Sequence, residues 1–310
     1  MAKVISSEIN LTQLTKMDDG KCRALLAEIR WPDGIECPRC HSRSISNVSK
    51  RNQYTCFDCQ YQFSVTVGTS FQDSPIPLLT WFMIIYLVLE SKDGITTAQT
   101  SRMFGIGYKT AWFMLMRIRN AMKPADTRKL SGTVEIDEFY VGGETRGRGT
   151  HYTVNKTQVV GAIERGGGEV RLRAIQRANV TTLDKFIQDN VEPTARIITD
   201  GWRGYKNVKR ETVNHHLGEY VRGDVHTGTI DHFIGTIKSS VYQHTSHFQS
   251  YLDELTYKYN HRNDFYLFRD TIKAMIDAPP KTYDELVHPD NEFALPLATA
   301  RKSLVCLSLV

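Results

Sequence analysis

Apolar and polar positions change rhythm along this chain, and the changes predict its elements. From Leu78 to Glu90 almost every position is apolar, with Pro75 and Pro77 just before it, which reads as a strongly buried helix. Lys92-Asp93-Gly94 interrupts the run, and Thr96 then offers an N-cap for a second helix through Phe104. Gly105-Ile106-Gly107 predicts a sharp turn before a third helix, Tyr108 to Met122. Three helices with a glycine-bearing turn before the last outline a helix-turn-helix. Ahead of them, Gln53-Tyr54-Thr55 and Tyr61, Phe63, Val65 alternate like short strands. Lys123 to Gly132 is polar and carries a proline, so the main boundary is expected there.

Beyond Gly132 the texture turns to strands. Thr133 to Tyr140 alternates, with Asp137 near its far end and Gly142-Gly143 behind it. Gln158 to Glu164 and Glu169 to Gln176 read as a hairpin around Gly166-Gly167-Gly168. Thr182 to Val191 looks helical, and Arg196 to Asp200 is a short buried strand stopping at an acid and a glycine. After Val225-His226-Thr227-Gly228, Ile230, Phe233, Ile234 and Ile237 form one buried helix face. A further helix, Phe248 to Arg262, carries Tyr251, Tyr257 and Tyr259 as packing groups. This order predicts an α/β chain with a mixed sheet flanked by helices. The expected division is 1–74 with the cysteine module, 75–122 helical, 133–263 sheet domain, and a tail at 264–310. That tail has a helix-like Asp270–Ile276 stretch, then Pro279-Pro280 and an apolar end of unassigned role.

Composition narrows the class. The 310 residues are 41% hydrophobic and 24% charged, as in ordinary globular chains. The longest apolar run, Trp81 to Leu89, falls far short of the ~20 residues a bilayer requires. The N-terminal MAKVISSEINLTQLTK has no continuous apolar stretch, so a soluble, cytoplasmic protein is expected, with no membrane partner and, if its partner is DNA, associated with the nucleoid. The net charge of +5 is uneven: residues 1–132 hold 17 Lys and Arg against 11 Asp and Glu, and the remainder holds 22 against 23. A basic front end on a near-neutral body suits a polyanion partner, although such asymmetry also arises on plain solvated surfaces.

Cys37-Pro-Arg-Cys40 and Cys56-Phe-Asp-Cys59 are separated by fifteen residues, which is zinc-ribbon spacing. Two residues between thiolates let one tight turn aim both sulfurs at a single ion, and two such turns complete a tetrahedron. Four protein ligands close the coordination sphere, so this zinc is expected to be structural. Disulfides and a lone redox pair are the disfavoured alternatives. Cys22 and Cys306 remain unassigned thiols.

Asp137 and Asp200 both stand where strands end beside glycine. There they fit a hard divalent cation, or equally serve as turn formers. Asp231 and Lys238 lie two turns apart on one helix face, where a carboxylate and an ammonium suit metal and DNA phosphate, or simply face solvent. Lys109, Arg117 and Arg119 on the third helix are the candidate groove contacts of a helix-turn-helix, a plain bundle being the alternative. No strained G-x-S-x-G turn is present, and the spacing of His215, His216, His226 and His232 fits no closed metal motif.

Taken together, the two cysteine pairs, the helical segment, VEIDEFYVGG, IITDGWRGY, HTGTID…K and YLDELTYKYNHR resemble insertion-sequence transposases of the DDE superfamily. The resemblance is to the branch with an N-terminal zinc ribbon, bacterial relatives of Merlin-type elements, and it runs from about Cys37 to Arg262. It implies a ribonuclease-H-like domain, two Mg²⁺ ions with Mn²⁺ as a substitute, and double-stranded DNA as partner. It further implies strand cleavage followed by strand transfer, and a homodimer or larger assembly on DNA. By the same resemblance Asp137, Asp200 and Asp231 are the magnesium ligands, and Lys238 contacts DNA near the reacting phosphate. One departure stands out: relatives commonly read H-T-N-x-I-E where this chain has Gly228 and Asp231. Asp keeps the charge but is one methylene shorter. A catalytically inactive DNA-binding protein is therefore the competing expectation, and a metal-dependent nuclease that cuts without joining is a third.

Overall fold

A computed structural model of the chain describes residues 9–48, 51–92, 94–124, 128–142, 156–213, 218–240 and 247–288. Gly143, His215, His216 and Cys306, singled out above, lie outside them. Among the described residues no helix is long and apolar enough to cross a membrane.

The amino-terminal half is helical around a small sheet. Helix α1 (Leu11–Leu14) is closed by a capping box between Asn10 and Gln13, and α2 (Asp19–Arg30) is capped by Asp18, which accepts the Lys21 N–H at 2.7 Å. Strands β1 (Ile45–Val48), β2 (Gln53–Cys56) and β3 (Gln62–Phe63) form an antiparallel sheet in that order. Then come α3 (Leu78–Glu90), α4 (Thr97–Phe104) and α5 (Tyr108–Ala121). Thr96 caps α4 in a capping box with Gln99, and Gly105 ends it at φ 63°, a left-handed conformation that favours glycine. Helix α3 is apolar on almost every side because little of it faces solvent: Trp81, Phe82, Ile84 and Ile85 are all but inaccessible, and Leu79, Met83, Tyr86 and Leu87 are half-buried. Leu14, Leu26, Phe71 and Leu115 share its core, as do Phe268, Ile272 and Met275 of α9 (Leu267–Asp277). The carboxy-terminal segment thus folds back to complete the helical body.

This return explains a correction. Arg117 and Arg119, expected on an exposed helix face, are only 5% and 2% exposed. Arg117 donates Nη1 to the carbonyls of Ser70 (3.1 Å) and Gln72 (2.6 Å), and Nη2 to that of Lys281 (2.9 Å). Arg119 donates Nε to Glu254 Oε2 at 2.8 Å and stacks on Tyr251. Segments distant in sequence cover α5, so neither arginine offers its charge to a duplex. Only the first turn of α5 remains open, with Tyr108 and Lys109 beside Arg102 and Met103 of α4.

The second half is a five-stranded mixed sheet. Its strands are β4 (Thr133–Gly142), β5 (Lys156–Glu164), β6 (Val170–Ile175), β7 (Arg196–Asp200) and β8 (Glu211–Val213), in the order β6-β5-β4-β7-β8. The first three run antiparallel; β7 and β8 then continue parallel to β4. This is a ribonuclease-H-like arrangement. Period-2 alternation divides the sheet into two apolar faces. Val134, Ile136, Val160 and Ala162 pack on α6 (Val180–Asn190), while Phe139, Val141, Val159 and Ile163 pack on α7 (Gly228–Ser240) and α8 (Phe248–Asn260).

Helix α8 also covers the open edge of β6. Gln249 accepts the Ala174 N–H at 2.9 Å, and Asn260 both accepts from and donates to the backbone of Val170 (2.8 and 3.1 Å). Side-chain amides here meet backbone groups that an edge strand otherwise leaves unpaired. Through Arg119–Glu254, α8 also ties the sheet to the helical body.

Candidate active site and zinc ribbon

The four thiols Cys37, Cys40, Cys56 and Cys59 come together, with all four sulfurs within 4.8 Å of one another. Cys37 and Cys59 lie 3.7 Å apart, and Cys40 and Cys56 3.5 Å apart. A zinc–sulfur bond of ~2.3 Å gives a tetrahedral edge of about 3.8 Å, so the cluster has the dimensions of a zinc site. Both knuckles use the same backbone device. His41 (φ 60°) and Gln60 (φ 55°), each just after the second cysteine of its pair, take the left-handed conformation. The N–H of Cys59 draws the Cys56 thiol down to about 7, while Cys40, despite the Ser42 N–H, is held up at about 12 by hydrogen bonds with Cys59, Cys56 and Cys37. Four free cysteines in this geometry, holding together a core of little more than Trp31, Tyr54 and Phe63, suit a structural ion.

Strand pairing makes neighbours of two of the three predicted carboxylates, but among the described residues only the four cysteines lie close enough together to form a metal-sized cluster, and Asp137, Asp200 and Asp231 do not close to that spacing. Ile136 of β4 is in register with Thr199 of β7, which brings Asp137 beside Asp200; Asp200 ends β7, whereas Asp137, expected near a strand end, lies midway along β4, which runs on to Gly142 against β5. Both lie on the sheet face opposite Ile136 and Ile197, the face that α7 covers. Asp231 occupies the first turn of α7 and is exposed. Burial, then the charges of Glu138, Asp200 and Asp231, push the Asp137 carboxyl up to about 7. No ion pair among the described residues involves any of the three aspartates. Half-buried carboxylates without a salt bridge, as at Asp137 and Asp200, suit a divalent cation. Lys238 is exposed two turns along α7, with its ammonium over the Phe139 ring on the Asp137 side of β4.

What sets α7 against β4 is a carboxylate that sequence reading passed over. Glu135, two residues before Asp137 and on the same strand face, is fully buried. It accepts the backbone N–H groups of Thr229 (2.8 Å) and Ile230 (2.9 Å), donors that an N-cap side chain would otherwise satisfy. Arg165 donates Nε to Glu135 Oε1 at 2.5 Å, and its other nitrogens reach the carbonyls of Asp224 and His226 just before the helix. With its capping task taken over, Thr227 turns its hydroxyl to Asp231 Oδ2 at 3.0 Å. Opposite Asp137 on β5 stands Gly161, where a Cβ would approach Ile230 Cδ1 to 3.3 Å. The missing side chain lets α7 lie close. The one sequence signal for this clamp is that Glu135 and Asp137 share strand parity.

Comparison with known proteins bears on what this arrangement is for. Residues 129–260 match the family model of the ISXO2-like transposase domain, and residues 17–62 match that of the transposase zinc-ribbon domain. A protein from Halobacterium salinarum, described as an uncharacterized protein in transposable element ISH50, is 32% identical over 242 residues. That alignment covers 70% of this chain and 81% of the relative. The chain belongs to the ISXO2-like transposase family. Among solved structures, a simian T-cell lymphotropic virus intasome in complex with a PP2A regulatory subunit is similar over 72% of this chain and 78% of that one, at 12% identity. Its TM-score of 0.22 is too low to carry an argument.

The family match spans both groups: the cysteines fall in the zinc-ribbon domain, and the three aspartates with Glu135 and Lys238 fall in the transposase domain. Glu138 points to the other sheet face, where the hydroxyl of fully buried Tyr205 donates to it. Burial pushes Glu138 up to about 7.

Proposed function

We propose that this member of the ISXO2-like transposase family is a DNA transposase that cleaves phosphodiesters at element ends and joins the freed 3′-hydroxyl to target DNA. Asp137, Asp200 and Asp231 would hold the metal, two Mg²⁺ ions with Mn²⁺ as a substitute. Bound there, the ions supply activation of the attacking oxygen and stabilisation of the leaving one. The observation that carries this reading is the pairing of β4 with β7, which sets Asp137 beside Asp200 under the first turn of α7. The protein's own part is positional. Glu135 and Arg165 fix the helix start, Thr227 orients the Asp231 carboxylate, and Lys238, on the same side, would take a DNA phosphate. Lys109, open at the start of α5, and the zinc ribbon would grip DNA away from the reacting bond. A dimer, one copy for each element end, fits the joining step.

The test is nicking of a DNA carrying the element's ends, with added Mg²⁺, by wild type and Asp137→Asn. A second reading, DNA binding without scission, draws on Gly228 and Asp231, the two departures from the H-T-N-x-I-E pattern that the sequence resemblance leads one to expect. It predicts a folded, zinc-loaded protein whose binding falls with salt and which never nicks.

A further inference from the structure

The segment that follows Asp200 has a use that neither the carboxylates nor the ribbon explain. Residues 202–210 read WRGYKNVKR, with four basic residues, two aromatics and no acid. Tyr205 is fully buried in the sheet core and anchors the segment. Asn207 ties it to α6 through Asp184 at 2.8 Å. Trp202, in contrast, is 38% exposed, and it is the only exposed tryptophan among the described residues.

Its position is fixed from several sides. Its N–H donates to Asp200 Oδ1 at 3.0 Å, and its carbonyl accepts Arg210 Nη2 at 2.8 Å. Its ring meets Tyr205 edge-on at 6.0 Å. A Cβ on Gly204 would fall 1.9 Å from Trp202 Cζ3, so one side of the indole lies directly on the glycine backbone. Phe57, Tyr108 and Phe265 are more exposed, but Trp202 is the one whose ring is held from several sides while more than a third of it stays open to solvent. Arg210 adds a second sign: its Nη1 is buried and has no hydrogen-bond partner among the described residues, although it lies close enough to Asp200 to feel its charge. Lys206 and Lys209 are exposed nearby in the segment.

We propose that Trp202 is a stacking platform for an unpaired nucleobase of the DNA strand held at Asp200, with Lys206 and Lys209 holding the neighbouring phosphates and Arg210 fixing the Trp202 backbone. The inference rests on the reading of strand cleavage at Asp137 and Asp200. Two residues of chain span at most ~7 Å, so a nucleotide whose phosphate sits at Asp200 has its base within reach of this indole. Fixed aromatic faces beside basic side chains are how proteins hold single-stranded nucleic acid without reading its sequence.

The experiment uses the full zinc-loaded chain without added Mg²⁺ and two DNAs. One is a fully paired duplex carrying the element's end. The other is identical except that the nucleotides flanking the cleaved phosphate are unpaired, one of them replaced by 2-aminopurine. Wild type should bind the unpaired DNA about tenfold more tightly and quench the 2-aminopurine as it stacks. Trp202→Ala should lose both effects, and Trp202→Phe should keep part of them. If Trp202→Ala does not fold, the quench in wild type and its reduction in Trp202→Phe decide the matter. Equal binding of the two DNAs by wild type, or an unchanged preference in a folded Trp202→Ala, overturns the stacking role while leaving cleavage intact. Binding of neither DNA overturns the cleavage reading and this inference with it.

Discussion

The buried carboxylate of Glu135 accepts the N–H of Ile230 at 2.9 Å, so the strand that carries Asp137 also caps the helix that carries Asp231. One residue therefore sets the distance between two others. Glu135→Gln would leave the Arg165 guanidinium without its anion and weaken the cap. Breaking a buried pair from one side costs about 3 kcal/mol. Denaturant unfolding should show a loss of that order, and Mg²⁺-dependent nicking should fall further than stability alone explains. Nicking at the wild-type rate in a folded Glu135→Gln would remove the clamp from the mechanism.

Gly161 provides a milder test of the same geometry. In Gly161→Ala the new methyl meets Leu172 at 3.1 Å and Ile230 at 3.3 Å, which requires shifts of a few tenths of an ångström. We expect roughly 1 kcal/mol of destabilisation and severalfold slower nicking, with DNA affinity unchanged. A loss confined to DNA affinity would count against close packing of α7 as the reason for the glycine.

The burial of Arg119 makes it part of the scaffold. Arg119→Met should destabilise the chain by about 3 kcal/mol by leaving buried Glu254 with only the longer contact to Lys258 at 3.8 Å, while a folded preparation binds DNA with the same salt dependence as wild type. A shallower salt slope would mean that Arg119 reaches a phosphate after all. Lys109→Ala, at an exposed position, should lower that slope by about one.

Asp253 on α8 gives a pH signature. It is buried, and burial raises its carboxyl to about 6 against the hydrogen bond that Gln249 Nε2 donates at 2.8 Å. A raised carboxyl holds its proton longer in the folded state than in the unfolded one, so stability falls as pH rises from about 4 to 6 and then levels. Asp253→Asn keeps the acceptor for Gln249 and removes the charge. It should be more stable than wild type at pH 7 by on the order of 2 kcal/mol, with the gain vanishing below pH 4. Urea midpoints across this range measure it, and a gain that persisted at pH 3 would have another origin.

Zinc removal separates the two halves. Chelation should release about one zinc per chain and unfold the ribbon, whose core is Trp31, Tyr54 and Phe63, while the five-stranded sheet persists. Loss of all structure on chelation would show that the ribbon supports more than itself.

Local patterns were legible where local physics decides. The mostly apolar Leu78–Glu90 run, the Thr96 cap with Gln99, the Gly105 stop and the strand-end placing of Asp200 follow from period, capping and turn chemistry, whereas Asp137 lies midway along β4 because pairing with β5 carries that strand on to Gly142. Helix α2 was missed although Asp18 caps it and Cys22, Leu25 and Leu26 mark its buried face. The strand β8, three residues long, carries too little pattern to detect. Arg117 and Arg119 were misplaced because their burial depends on Lys281 and Glu254, more than a hundred residues away. Glu135 looked like one more polar position in an alternating strand. Its role exists only once α7 arrives with two unsatisfied N–H groups, and no one-dimensional pattern records that meeting.

The central claim is a metal-dependent carboxylate site, and single-turnover nicking of element-end DNA tests it most directly. Wild type should nick with Mg²⁺ or Mn²⁺ and not without them, and Asp137→Asn should lose at least about 10³-fold while remaining folded and bound to DNA. Metal-independent nicking, or nicking that survives Asp137→Asn, would contradict it.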